Sequence, residues 1–131
     1  MKLFRGESAV LGAADARTFA GTARSGLLAS DEADTAVRIY RVEFESGART
    51  NWHTHSGPQW LLVVNGRIRV QRSGEPAQDL ETGDAALIAP GERHWHGAVP
   101  GEGGAHLAVN VNVTTTWLEP VTDADYLAGV R

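Results

Sequence analysis

Glycine and proline interrupt this chain 15 and 5 times in 131 residues, leaving apolar runs too short for a packed helix but long enough for strands. From Val37 to Phe44, β-branched and aromatic residues mix with charge, and Ser46-Gly47 ends the run. Trp60-Leu-Leu-Val-Val64 comes next, then Asn65-Gly66, then an alternating segment from Arg67 to Arg72. Asn-Gly between two such runs predicts a tight hairpin there. Ser73 to Pro76, Gly83-Asp84 and Pro90-Gly91 mark further turns, with Ala85 to Ala89 and Arg93 to Val99 as strands between and after them. The glycine-rich loop from Pro100 to Gly104 leads into a long alternating strand, His106 to Val113. Thr122 to Leu127 reads as a short capped helix, with Asp123 and Asp125 at its positive end and Gly129 as its stop. The expectation is a single all-β domain with a short C-terminal helix.

On the strand that begins at His106, period-two geometry puts His106, Ala108, Asn110 and Asn112 on one face and Leu107, Val109, Val111 and Val113 on the other. In an open sheet that split means solvent against core. In a closed barrel the polar row can instead line a wet cavity.

Composition excludes several kinds of chemistry. Without cysteine there is no disulfide, no thiolate nucleophile and no cysteine-ligated zinc or iron–sulfur cluster. The sole lysine is Lys2, so neither a P-loop nor a Schiff-base lysine in a closed pocket is expected. A formal charge of -4 offers no cationic face for nucleic acid or anionic lipid. The apolar stretch after Lys2 and Arg5 is broken by Asp15 and Arg17, and Trp60 to Val64 is too short to span a bilayer. A cytoplasmic protein acting on a small molecule is expected, with no nucleic-acid or membrane partner.

Histidine carries the remaining chemistry. All five lie between positions 53 and 106, as His53 with His55, His94 with His96, and His106. Spacing of i,i+2 puts both rings of a pair on one face of a strand. Two such pairs in a small β domain point to a bound divalent metal, for which neutral imidazole is a good ligand.

The spacing around these histidines resembles the cupins, small double-stranded β-helix (jelly-roll) barrels that hold one metal ion. Their first motif, Gly, five residues, His-x-His, three or four residues, Glu, six residues, Gly, is matched by Gly47, His53, His55, Gln59 and Gly66, with Gln in place of Glu. Their second is matched by Gly83, Gly91 and His94, with Ala89 where the motif has Pro and Ala98 where it has Asn. These motifs span about residues 35–113, leaving strands in 1–34 and a tail from 114 to 131. At finer grain the chain is similar to the small manganese-dependent cupin hydroxynitrile lyases and their bacterial relatives. The similarity lies in Gly47-Ala-Arg-Thr-Asn-Trp-His-Thr-His55, Gln59, Pro90-Gly-Glu-Arg-His-Trp-His-Gly-Ala98, His106-Leu-Ala and Trp117 to Tyr126.

That resemblance implies His53, His55, Gln59 and His94 as ligands of one divalent ion, manganese first, with iron, nickel, zinc and copper as alternatives. It places His106 in the cavity, where imidazole chemistry suits it to carry a proton. His96 is expected to act beside the ion or the substrate, while Tyr40, Val42 and Asn110 form the pocket. Tyr40 stands where those lyases have a small residue, and Asn110 where they have a longer amide. Gln59 in place of a carboxylate leaves the ion's charge uncompensated, which strengthens its pull on an alkoxide, enolate or cyanide. Three functions fit: a redox-neutral lyase on a cyanohydrin, an oxygen-dependent dioxygenase on a small aromatic, and a non-catalytic binding module. A homodimer or higher homo-oligomer is expected, since an all-β fold has edges and spare tryptophans to cover.

Overall fold

The computed structural model describes residues 1–31, 33 and 36–128. After a 3-10 turn at Gly6–Ser8 come β1 (Gly12–Ala13), β2 (Phe19–Ala20), β3 (Ala23–Asp31), β4 (Val37–Phe44), β5 (Arg49–Thr50) and β6 (His53–His55). They are followed by β7 (Gln59–Arg72), β8 (Gln78–Glu81), β9 (Ala85–Ile88), β10 (His94–Ala98), β11 (Gly104–Val111), β12 (Thr115–Trp117) and α1 (Asp123–Leu127). Every pairing is antiparallel, and the backbone path runs β1-β3-β4-β11-β7-β10-β5-β2. The all-β expectation holds, as does the short C-terminal helix. Thr122 caps that helix by accepting from the Asp125 amide at 3.1 Å, while Gly129 lies outside the described residues.

The predicted hairpin at Asn65-Gly66 does not form. The chain continues through it as the 14-residue strand β7. Gln59 to Gly66 pairs with β11, and Arg67 to Arg72 pairs with β8 and β10, so one strand passes from the first sheet into the second. A register shift opposite Ala105/His106 leaves Val64 as an extra residue, and Gly66 follows it at φ +58°. A side chain at Gly66 would collide with the Gly103 carbonyl oxygen. The left-handed residue predicted for a turn is therefore present, but it bends a bulged strand around a barrel corner. Tertiary pairing of both halves outweighs the local turn preference.

Inside the barrel, Ala23, Val42, Phe44, Ala48, Val63, Ile68 and Ala98 form the main core. A second cluster, Trp52, Trp95, Val121 and Tyr126, lies beneath the C-terminal segment. Two buried arginines fasten that segment. The Arg49 guanidinium donates to Val121 O at 2.9 Å and Asp123 Oδ1 at 2.8 Å and lies over the Tyr126 ring. Arg69 pairs with Asp79 at 2.8 Å and donates to Tyr126 O at 2.8 Å. Charges this deeply buried are tolerated only because they are paired and hydrogen-bonded.

Strand β11 settles the ambiguity left by its alternation. His106 and Ala108 face inward and are buried, whereas Leu107 and Val109 face outward. His106, Ala108 and Asn110 therefore line an interior cavity, whereas the strand ends at Val111, and Asn112, exposed and at φ +51°, falls outside that row. On the outer face the registers align Leu87, Trp60, Val109 and Ile39 across β9, β7, β11 and β4. Trp52 and Trp95 are buried, whereas Trp60 is 47% exposed on this outer row.

Candidate metal centre

Strands β6 and β10 carry four of the five histidines, and their register decides how the rings meet. His53 and His94 are direct cross-strand partners, with ring centroids 4.2 Å apart. In an antiparallel pair, residues two positions on from each partner project to opposite sides of it. His55 consequently lies on one side of the His53–His94 pair, and His96 on the other. Gln59, at the start of β7, lies in the same cavity wall as His55, and His106 on β11 closes the side beyond His96.

Backbone carbonyls fix the ring orientations. His53 Nδ1 donates to Asn51 O and His94 Nδ1 donates to Glu92 O, each at 2.8 Å, so in both rings Nε2 is the nitrogen left with a lone pair. His55 Nδ1 is bonded to Thr115 Oγ1 at 2.9 Å, and His106 Nε2 to His96 Nδ1 at 2.9 Å. Gln59 donates its amide nitrogen to Asn110 Oδ1 at 2.9 Å, which turns Oε1 away from β11. After these bonds, His55 Nε2, Gln59 Oε1, His94 Nε2, His96 Nε2 and His106 Nδ1 are buried with no hydrogen-bond partner among the described residues. So many orphaned polar atoms in one place are costly unless a ligand satisfies them.

Burial also keeps these rings neutral. It pushes His53 down to about 2 with help from adjacent His94, and His55 down to about 4 with the same help. His106 is pushed down to about 4 by burial, His94 is lowered by burial, and His96 lies well below its ordinary value for the same reason, with His106 beside it. Neutral imidazole is the form that binds metal. The ligand nitrogens of His53, His94 and His96 all lie within 4.8 Å of one another. The chain thus presents a three-histidine group able to hold a divalent ion.

The cavity in front of the rings measures about 240 Å³ and is lined by Phe19, Tyr40, Val42, His53, His106 and Trp117, among others. Tyr40, Val42 and Asn110 all reach it. Trp117 and Thr115 were not anticipated. Trp117 lies against the His53 ring at 4.6 Å and Thr115 holds His55, both from β12, which pairs with β6. The alternation Thr115-Thr116-Trp117 was the available signal, but nothing local ties so short a strand to the histidines.

Residues 40–112 match the family model described as "Cupin domain". The chain belongs to the cupin family. This cupin is 38% identical over 129 residues to an (R)-mandelonitrile lyase of Granulicella tundricola, covering 96% of this chain and 98% of the relative. It superposes on the crystal structure of a cupin-like protein from Thermotoga maritima with a TM-score of 0.86 and 36% identity, over 90% of this chain and 92% of that one. The polyketide cyclase RemF from Streptomyces resistomycificus shares the fold at a TM-score of 0.68 and 19% identity, over 96% of this chain and 90% of that one.

Proposed function

We propose that this cupin is a metal-dependent, redox-neutral lyase that cleaves or forms the carbon–carbon bond of a small cyanohydrin. The 38% identity to an (R)-mandelonitrile lyase along nearly the whole of both chains carries this reading, and the orphaned donors in an aromatic-lined cavity support it. His53, His55 and His94, through Nε2, and Gln59, through Oε1, would hold the ion. An amide oxygen among imidazoles suits manganese as well as iron or nickel. When bound, the ion supplies Lewis-acid polarisation of a substrate oxygen.

The remaining work falls to the chain's own residues. His106, neutral and buried, has Nδ1 unpartnered in the cavity, and it accepts the substrate hydroxyl proton there while Nε2–H donates to His96 Nδ1. As the carbon–cyanide bond breaks, its electron pair leaves with cyanide, the oxygen-bearing carbon becomes an aldehyde, and the proton on His106 passes to cyanide. Asn110 holds the Gln59 amide, and Phe19, Tyr40, Val42 and Trp117 surround the organic portion and exclude water. The small outward row of Trp60, Leu87 and Val109 supports association of two copies of the chain, which sedimentation would read directly. Incubating the manganese-loaded protein with mandelonitrile and analysing the products on a chiral column tests the reaction. Turnover no faster than with metal-free protein refutes it, and oxygen consumption in step with turnover would point to dioxygenase chemistry instead.

A further inference from the structure

His96 is the one member of the three-histidine group that the proposed ligand set does not use, yet its position mirrors that of His55. His55 lies 4.9 Å from the His53 ring and 5.3 Å from that of His94, and His96 lies 5.2 Å and 5.7 Å from the same two. Both are 4% exposed, and both present an Nε2 with no hydrogen-bond partner among the described residues. The central pair His53 and His94 therefore faces a third imidazole on either side. The two sides differ in what completes them. Beside His55 is the side chain of Gln59, whereas beside His96 there is another imidazole, that of His106.

We propose that this cavity holds a divalent cation in either of two positions: an outer one of His53, His94, His55 and Gln59, and an inner one of His53, His94 and His96. The ion's preference selects between them. Manganese tolerates oxygen donors and high coordination numbers and takes the outer position. Zinc and copper, which favour imidazole and lower coordination numbers, take the inner one. Ring tautomers couple this choice to His106. An ion on His96 Nε2 requires the His96 proton on Nδ1, which then donates to His106 Nε2 and forces the remaining His106 proton onto Nδ1. The inner position thus removes the lone pair that His106 offers the cavity, making zinc and copper occupants that silence the site.

This inference rests on the reading that the cavity binds a metal, and its test separates the two. Dissociation constants for Mn²⁺ and Zn²⁺ are measured by chelator competition on the full chain, on His96→Ala and on Gln59→Ala. The expected result is that His96→Ala weakens zinc at least about tenfold and manganese by less than about threefold, with the reverse for Gln59→Ala. ¹⁵N-histidine NMR of the zinc-loaded unmutated chain needs no variant to fold. It should show a coordination shift at His96 Nε2 and none at His55 Nε2. Zinc affinity untouched by His96→Ala, equal weakening of both ions, or a zinc shift at His55 overturns the two-position proposal alone. Failure of the unmutated chain to bind either ion overturns it together with the metal reading beneath it.

Discussion

Five neutral imidazoles inside one small barrel make the metal-free protein acid-sensitive over a defined range. A free histidine titrates near 6.5, whereas burial holds His55 and His106 down to about 4. Above pH 6.5 neither the folded nor the unfolded chain binds these protons, so stability is level there. Between 6.5 and 4 the unfolded chain takes up a proton that the folded one refuses, and stability falls as pH falls. At 1.36 kcal/mol per pKa unit, each of these two rings removes about 3 kcal/mol by pH 4. Against a whole-domain stability of about 5–15 kcal/mol, the two together bring the metal-free protein close to unfolding. Urea denaturation in the presence of chelator, at half-unit steps from pH 7.5 to 4.5, measures the slope. Carboxylates contribute at the acid end, so the decisive comparison is with His55→Gln, which deletes one titrating ring. Its stability should fall less steeply, by about 1.4 kcal/mol per pH unit near pH 5.5. Parallel curves for the two proteins from pH 6.5 to 4.5 would refute the claim that His55 is buried uncharged.

Other perturbations probe the scaffold around the cavity. Arg69→Met removes both hydrogen bonds that Arg69 gives Asp79, leaving that carboxylate the more distant Arg67 at 3.9 Å, and frees Tyr126 O, and should lower stability by about 2–3 kcal/mol in urea titrations at pH 7. Asn110→Ala releases the Gln59 amide and should weaken manganese retention by about tenfold in chelator competition, with little change in the thermal midpoint. Gly66→Val forces a β-branched side chain into a left-handed φ and against Gly103 O, and should cost more than about 2 kcal/mol, read as a lower denaturation midpoint. Tyr40→Ala enlarges the cavity and should lower KM for an aryl cyanohydrin more than for an aliphatic one in steady-state kinetics.

Much of this arrangement can be read from residue order because strand periodicity is short-range. Val37 to Phe44 is a strand with the predicted limits, and the i,i+2 histidine pairs do share faces. What escapes is set by partners distant in sequence. Asn65-Gly66 has the chemistry of a hairpin and becomes a bulge because β8, β10 and β11 claim both flanks. Likewise, the cross-strand register of His53 with His94 gives His96 a place equivalent to that of His55, and no spacing rule along the chain contains that symmetry. Trp117 and Thr115 reach the rings only through the pairing of β12 with β6, a contact between segments about sixty residues apart in His55–Thr115.

Strand β7 begins at Gln59 inside the cavity and carries near its other end Arg69, which grips the C-terminal segment, with the bend at Gly66 between them. A deletion or insertion within it puts one sheet's share of the strand out of step with the other's, since sliding by one residue swaps inward for outward side chains on one side of the change. The stretch from 59 to 72 is accordingly the wrong place to vary length when tailoring this barrel to new substrates. Point changes on β4 and β12 reshape the cavity walls while leaving that shared spine in register.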